Sequence, residues 1–181
     1  MDFNNIFVAI KNSIMKKIIL SAIMLMGLAF TAQAQDISKN ALGLRFGDSG
    51  GFGAELSYQR ALGSNNRLEL DLGWRDRSNN NDYDDDAIKL TGLYQWVWNI
   101  DGGFNWYAGV GGGVGSYNRD YNDNRNYDNE IFAFAAGDIG IEYNFDIPLL
   151  ISLDFRPEFG GNGYYKNNYG SDVALALRYQ F

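Results

Sequence analysis

An all-β fold, an eight-stranded antiparallel transmembrane β-barrel of up-and-down meander behind a cleavable signal peptide, is what this sequence predicts. Three observations predict it. Apolar residues recur at every second position in eight successive segments, the links between those segments alternate short and long, and the series follows a removable leader. A period of two is that of a strand with one apolar face.

The leader fixes the compartment. Met15-Lys16-Lys17 supplies a positive region, Ile18 to Phe30 an apolar run of 13 residues, and Ala32-Gln33-Ala34 the small-x-small pattern that signal peptidase requires before Gln35. The apolar run is shorter than the roughly 18 to 20 residues that cross a bilayer as a helix. Residues 1–34 are therefore expected to be removed, and 35–181 to form the barrel domain. Because Met15 begins a complete signal by itself, translation is expected to start there.

Taking away Lys11, Lys16, Lys17 and Asp2 from 15 basic and 22 acidic residues leaves 12 against 21, a net charge of −9. No basic cluster follows residue 34, which argues against nucleic acid as a partner. The absence of cysteine excludes disulfides, thiolate metal sites and a lipidated N-terminal cysteine. The chain's 22 glycines against 2 prolines suit strands and turns, and 147 mature residues suit one domain.

Segment by segment, the alternation reads as follows. The first strand sets Leu42, Leu44 and Phe46 against Gly43, Arg45 and Gly47, and the second Phe52, Ala54, Leu56 and Tyr58 against Gly53, Glu55, Ser57 and Gln59. In the third, Leu68, Leu70, Leu72 and Trp74 oppose Glu69, Asp71, Gly73 and Arg75. The fourth opposes Ile88, Leu90, Tyr94, Trp96 and Trp98 to Lys89, Thr91 and Gln95, with Leu93 and Val97 blurring its polar face. Phe104, Trp106, Ala108, Val110 and Val114 form the apolar face of the fifth. The sixth runs through Ile139, Ile141, Tyr143 and Phe145 against Asp138, Gly140, Glu142 and Asn144, and its start, Ile131 to Ala136, reads either way. The seventh carries Leu149, Ile151, Leu153, Phe155 and Phe159 against Ser152, Asp154, Arg156 and Glu158. The eighth carries Val173, Leu175, Leu177, Tyr179 and Phe181 against Asp172, Ala174, Ala176, Arg178 and Gln180. Strands of about ten residues match what a tilted strand needs to cross a bilayer.

Short links are expected at 61–66, 99–103 and 146–148, and long polar ones at 76–86, 118–130 and 160–171; only the first outer link, 48–51, is tight. Short periplasmic turns and long outer loops are the habit of such barrels.

A soluble ligand-carrying barrel has the same alternation turned inside out. Three features decide for the membrane. Apolar-face aromatics (Tyr58, Trp96, Trp98, Phe104, Trp106, Tyr143, Phe145, Tyr179 and Phe181) gather beside the short links, as an interfacial girdle does. The other face carries both signs of charge and many glycines, which suits a narrow lumen. Only a closed barrel satisfies every backbone N–H and C=O in lipid.

On this architecture, with the glycine-rich run Tyr107-Ala108-Gly109-Val110-Gly111-Gly112-Gly113-Val114-Gly115, Gly140-Ile141-Glu142-Tyr143-Asn144-Phe145 and the closing Tyr179-Gln180-Phe181, residues 36–181 resemble the small eight-stranded OmpA/OmpX-type outer-membrane barrels. The resemblance implies a monomer in the bacterial outer membrane. It also implies that Tyr179 and Phe181 carry the signal read by the barrel-insertion machinery.

Inward charges form one group: Arg45, Arg75, Lys89, Arg156 and Arg178 against Glu55, Glu69, Asp71, Asp138, Glu142, Asp154 and Glu158. Paired carboxylates can do acid/base work, but an eight-stranded interior is just wide enough to be filled by side chains, so an ion-paired plug is expected. Outer-membrane barrel enzymes resemble one another in using a catalytic histidine, and this chain has none. No catalytic residue, cofactor or dedicated metal site is therefore expected. The glycine run fits neither the dinucleotide fingerprint nor the P-loop, and its small residues are expected to let strands and inner side chains pack closely.

Asn, Asp and Tyr dominate the long links, where Asp82, Tyr83, Asp84, Asp85, Asp120, Tyr121, Asp123, Tyr127, Tyr164 and Tyr165 are the binding candidates. Asp120, Asn122 and Asn124 mimic the odd-position oxygens of a calcium loop, yet Arg125 stands where that loop requires glycine and Ile131 where its closing glutamate belongs. Two readings stay open: divalent bridging of acidic loops to lipopolysaccharide phosphates, and an adaptable Tyr/Asn/Gly surface for host or matrix ligands. A small pore is a third reading, disfavoured by the strand number.

Overall fold

Alternating segments with one apolar face leave no stable open sheet in lipid, and the strands close on themselves. A computed structural model describes residues 37–47, 53–75, 78–79, 83–84, 87–119, 128–160 and 166–181. The signal peptide read at 1–34 lies outside the described residues, as do the loop candidates Asp82, Asp85, Asp120, Tyr121, Asp123, Tyr127, Tyr164 and Tyr165.

The strands are β1 (Asn40–Phe46), β2 (Ala54–Ala61), β3 (Asn66–Arg75), β4 (Ser78–Asn79), β5 (Tyr83–Asp84), β6 (Ala87–Asp101), β7 (Phe104–Arg119), β8 (Asp128–Asn144), β9 (Leu149–Gly160) and β10 (Tyr169–Gln180). Eight of them form a closed antiparallel barrel in the order β1-β10-β9-β8-β7-β6-β3-β2, and β4 and β5 make a separate two-stranded pair. The fold is the predicted meander.

Strand lengths depart from the expected ten residues. β1 and β2 have 7 and 8, whereas β6, β7 and β8 have 15, 16 and 17. Pairing explains the excess: the β7–β8 ladder continues past the apolar band to Arg119 opposite Asp128, so the link expected at 118–130 is strand at both of its ends. Likewise β10 starts at Tyr169, inside the link expected at 160–171, and β4 and β5 fall inside the one expected at 76–86. The link expected at 99–103 shrinks to Gly102 and Gly103. It closes through a register shift between Asn99 and Asp101, with Gly102 at φ 51°, a left-handed conformation that favours glycine.

Registers fix the tilt. Partners followed round the wall from Ala41 run Gln59, Glu69, Leu93, Gly111, Ala136, Glu158, Gly170. The direct β10 partner of Ala41 is Gln180, so the circuit returns ten residues away from where it began. A stagger of this size means tilted strands, and it brings side chains from non-adjacent strands to one level of the lumen.

Polarity is inverted relative to a soluble protein. Leu42, Leu44, Phe46, Leu70, Leu90, Val110, Ile139, Ile141, Leu153 and Leu175 lie exposed on the outside, while arginines, carboxylates and amides are buried inside. Leu93 and Val97 face inward. The ambiguous start of the sixth predicted strand also resolves: Phe132, Phe134 and Ala136 are buried inside, and Ile131 is 74% exposed on the outer face. They join Ala87, Leu93 and Tyr117 in an apolar cluster of the lumen toward the long-link end.

The glycine run makes room for that cluster. A Cβ on Gly113 would meet Phe134 Cζ at 2.5 Å, and one on Gly115 would strike the Phe132 ring. Each ring thus lies over a bare stretch of β7 backbone, an aromatic covering a glycine from the neighbouring strand.

Candidate functional site

The lumen is the densest chemical feature of the described residues. Arg45 on β1 is completely buried and is surrounded by three acids. Its Nη1 lies 3.0 Å from Glu55 Oε2 and 2.6 Å from Asp172 Oδ2, while Nε donates to Asp154 Oδ1 at 3.1 Å and Nη2 also pairs with Asp154. Arg156 on β9 has Nη1 3.2 Å from Glu55 Oε2 and Nη2 3.0 Å from Glu69 Oε1 and 2.5 Å from Asp71 Oδ2. Arg178 on β10 reaches Glu69 Oε2 at 3.0 Å and donates to Ser57 Oγ and Ser152 Oγ. Lys89 on β6 sits 3.1 Å from Glu158 Oε1 and 3.3 Å from Glu55 Oε1, with its ammonium 5.7 Å from the Phe134 ring centre.

A second group lies toward the short-turn end. Arg67 Nη1 is 2.7 Å from Glu142 Oε2, its Nε donates to Gln95 Oε1 at 2.6 Å, and its guanidinium stands 4.8 Å from the ring centre of buried Tyr107. Gln95 donates to Asp138, and Asn105 to Glu142. Gln59 Nε2 donates to Glu69 Oε2 of the first group at 2.6 Å.

Of the sequence-predicted charges, Arg45, Glu55, Glu69, Asp71, Lys89, Asp154, Arg156, Glu158 and Arg178 thus meet in the first group, and Asp138 and Glu142 in the second. Arg75 is half-buried at the end of β3. Sequence reasoning missed Arg67 and Asp172. Arg67 shares the parity of Glu69 and Asp71 but stands one residue before the segment the alternation marked out. Asp172 stands on the polar face of the eighth strand but outside the charge group drawn from the sequence. The period of two carried one position further signals Arg67, and the inward parity of the eighth strand signals Asp172.

Chemically, this arrangement is a filled plug. Arg45, Arg156 and Arg178 each pair with carboxylates or hydroxyls held on separate strands, which ties the wall across its diameter. Among the described residues, no group of three or more His, Cys, Asp or Glu is arranged to hold a metal ion.

Outside, aromatics cluster near the short turns. Trp98 and Trp106 stack with ring centres 4.3 Å apart, Phe104 meets Tyr143 at 4.6 Å, Tyr143 meets Phe145 edge-on at 4.7 Å, and Tyr94 meets Trp96 edge-on at 4.9 Å. Tyr179 and Phe181 lie on the same outer face. Toward the other end, Trp74 is exposed and Phe159 packs on Tyr169 at 5.2 Å. Backbone is described at Tyr83 and Asp84, in β5.

No protein-family model and no curated protein sequence matches this chain. Solved structures do. The N-terminal β-barrel domain of Pseudomonas aeruginosa OprF is similar with a TM-score of 0.60 at 13% identity, over 81% of this chain and 100% of that one. Neisserial surface protein A (NspA) is similar with a TM-score of 0.57 at 11% identity, over 78% and 94%. Ail, the attachment invasion locus protein of Yersinia pestis, is similar with a TM-score of 0.54 at 15% identity, over 80% and 97%. At such identities the likeness is one of fold, and that fold is the small eight-stranded outer-membrane β-barrel of the OmpA/OmpX-like type.

Proposed function

We propose that this protein is a monomeric barrel of the bacterial outer membrane that acts without enzymatic chemistry, contributing to envelope integrity and to surface interaction through its long outer links. The observation that carries the reading is the inverted polarity: an apolar outer belt around a lumen of buried ion pairs. Lipid burial of the belt anchors the protein, and the ion-paired lumen stiffens it. Short turns face the periplasm and long links face outward. The girdle rings sit at the lipid headgroups, and Tyr179 and Phe181 serve the insertion machinery.

The absence of histidine from the chain supports a non-enzymatic role. For the loops, a surface-binding role is the finer reading. Ail has been crystallised in complex with the heparin analogue sucrose octasulfate. The first long link here is acidic: residues 76–86 carry Asp76, Asp82, Asp84, Asp85 and Asp86 against Arg77 alone. A sulfated polyanion would be repelled there, so the partners this chain suits are cationic or neutral surfaces, or lipopolysaccharide phosphates bridged by divalent cations.

The test compares cells carrying the intact barrel with cells whose links 76–86, 118–130 and 160–171 are trimmed, scoring adhesion and detergent sensitivity together. Lost adhesion with an intact envelope establishes a binding module. Unchanged adhesion, with leakage only on deleting the whole barrel, removes the loop function and leaves the barrel itself as the function.

A further inference from the structure

The junction between β1 and β10 differs from the other seven. It joins the first and last strands of the barrel, so no turn connects them, and Asn40 and Phe181 are 141 residues apart in sequence. Its ladder is also short: six pairs (Ala41–Phe46 against Gln180–Leu175) and the rim pair Asn40–Phe181, as many as in β1–β2 and β2–β3, where β7 and β8 pair over sixteen. Closing a long loop costs more entropy than closing a tight hairpin, and here a short ladder opposes that cost with no turn to help it.

Side-chain ties also hold this junction. At the short-turn rim, Asn40 Nδ2 donates to the Phe181 carbonyl at 3.3 Å across the seam, and Tyr58 Oη at 2.9 Å and Arg60 Nη1 at 2.7 Å, both on β2, donate to Asn40 Oδ1 and hold its amide in place. The backbones of Asn40 and Phe181 exchange two further hydrogen bonds, of 3.0 and 2.9 Å. In the lumen, Arg45 pairs directly across the junction with Asp172 at 2.6 Å, and Arg178 passes over β1 to Ser57 on β2 at 2.9 Å. Gly43 stands opposite Arg178, and a Cβ there would collide with the Leu177 carbonyl, so the two strands approach more closely than larger residues would allow.

We propose that the β1–β10 seam is the element of the barrel that opens first, and that Asn40 at the rim and Arg45 in the lumen are the latch that holds it shut. The test uses the protein folded into phosphatidylcholine vesicles, with Asn40→Ala placed in two backgrounds. One carries Leu44→Cys and Leu177→Cys, which face each other across the seam; the other carries Leu72→Cys and Leu90→Cys across the β3–β6 ladder. The chain has no cysteine of its own to interfere.

Hydrogen exchange at residues 40–46 and 175–180 should accelerate about tenfold in Asn40→Ala, the order expected for losing one or two side-chain hydrogen bonds. Exchange at residues 104–115 should not change. Oxidising the seam pair should cancel the acceleration, and oxidising the control pair should not. Unchanged exchange, equal acceleration in every ladder, or equal rescue by both disulfides overturns the latch. Should Asn40→Ala not fold, Asn40→Asp, which removes the donor to Phe181 and keeps the acceptor for Tyr58 and Arg60, is read in the same way. In the unsubstituted protein the seam amides should exchange faster than those of β7–β8, and equal protection overturns the opening order.

Discussion

Arg156 on β9 and Glu69 on β3 meet at 3.0 Å in the lumen, although β10, β1 and β2 stand between their strands round the wall. Arg178 from β10 joins the same carboxylate, so Glu69 holds two arginines and the amide of Gln59 at once. Removing Arg156 leaves Glu55, Glu69 and Asp71 buried with one cation fewer among them. Arg156→Ala should lower unfolding stability by about 3–5 kcal/mol, the range for breaking a buried pair from one side. Urea unfolding in detergent micelles reads this directly, with Glu69→Ala and Arg178→Ala alongside. Three unchanged midpoints would dissolve the network as a source of stability.

Packing of Phe134 over Gly113 makes a second prediction. A methyl group at Gly113 would meet the Leu90 carbonyl oxygen of β6 and, at 2.5 and 2.9 Å, Cζ and Cε1 of Phe134, so both the ring and the neighbouring backbone must give way. Gly113→Ala should cost about 1–3 kcal/mol, as overpacking does, and pairing it with Phe134→Leu should recover part of the loss. Equal losses with and without Phe134→Leu would show that the ring is not what the glycine accommodates.

These two relationships mark where the sequence was legible. The inward place of Glu69, Asp71 and Arg156 follows from a period of two, because shifting a strand by one residue would turn charges into lipid. Which arginine meets which carboxylate does not follow, since Arg156 reaches Glu69 only through the ten-residue stagger, which no single strand encodes. Phe132 and Phe134 defied the polar-inside rule for a local reason. They belong to an apolar cluster at one end of the lumen, and the glycines they cover lie on another strand. Leu93 and Val97 blurred the alternation of β6 because this lumen is polar along part of its length only. Arg67 and Asp172 were legible and lay one step beyond the segment or group drawn for them.

The girdle makes the third prediction. Trp106 lies among the aromatics near the short turns and Trp74 on the outer face at the opposite end of β3. In single-tryptophan forms, with the other three changed to Phe, both should emit as apolar-buried indoles in vesicles. Both should be quenched more by lipids brominated near the headgroup than by lipids brominated near the chain ends, because amphipathic rings settle at the interface. Deepest quenching from the bilayer centre would displace the girdle from the headgroup level and shift the whole belt with it.

The last prediction concerns ion flow. Between the short turns and the long links, an ion would first meet the Arg67–Glu142 pair, then Arg178, Arg156 and Arg45 with their carboxylates, then the apolar cluster of Leu93, Phe132 and Phe134. Passing the charged levels would mean parting buried ion pairs, and the apolar one offers an ion no hydration. The barrel in a planar bilayer should therefore show no steady conductance, at low salt or at high salt, since pairs this buried are poorly screened. Opening the plug needs both levels removed: Arg156→Ala alone should stay silent, and Arg156→Ala with Phe132→Ala and Phe134→Ala should begin to pass current in short bursts. A steady ohmic current from the unsubstituted protein would mean that the lumen side chains do not fill the barrel, and would raise the pore from third reading to first.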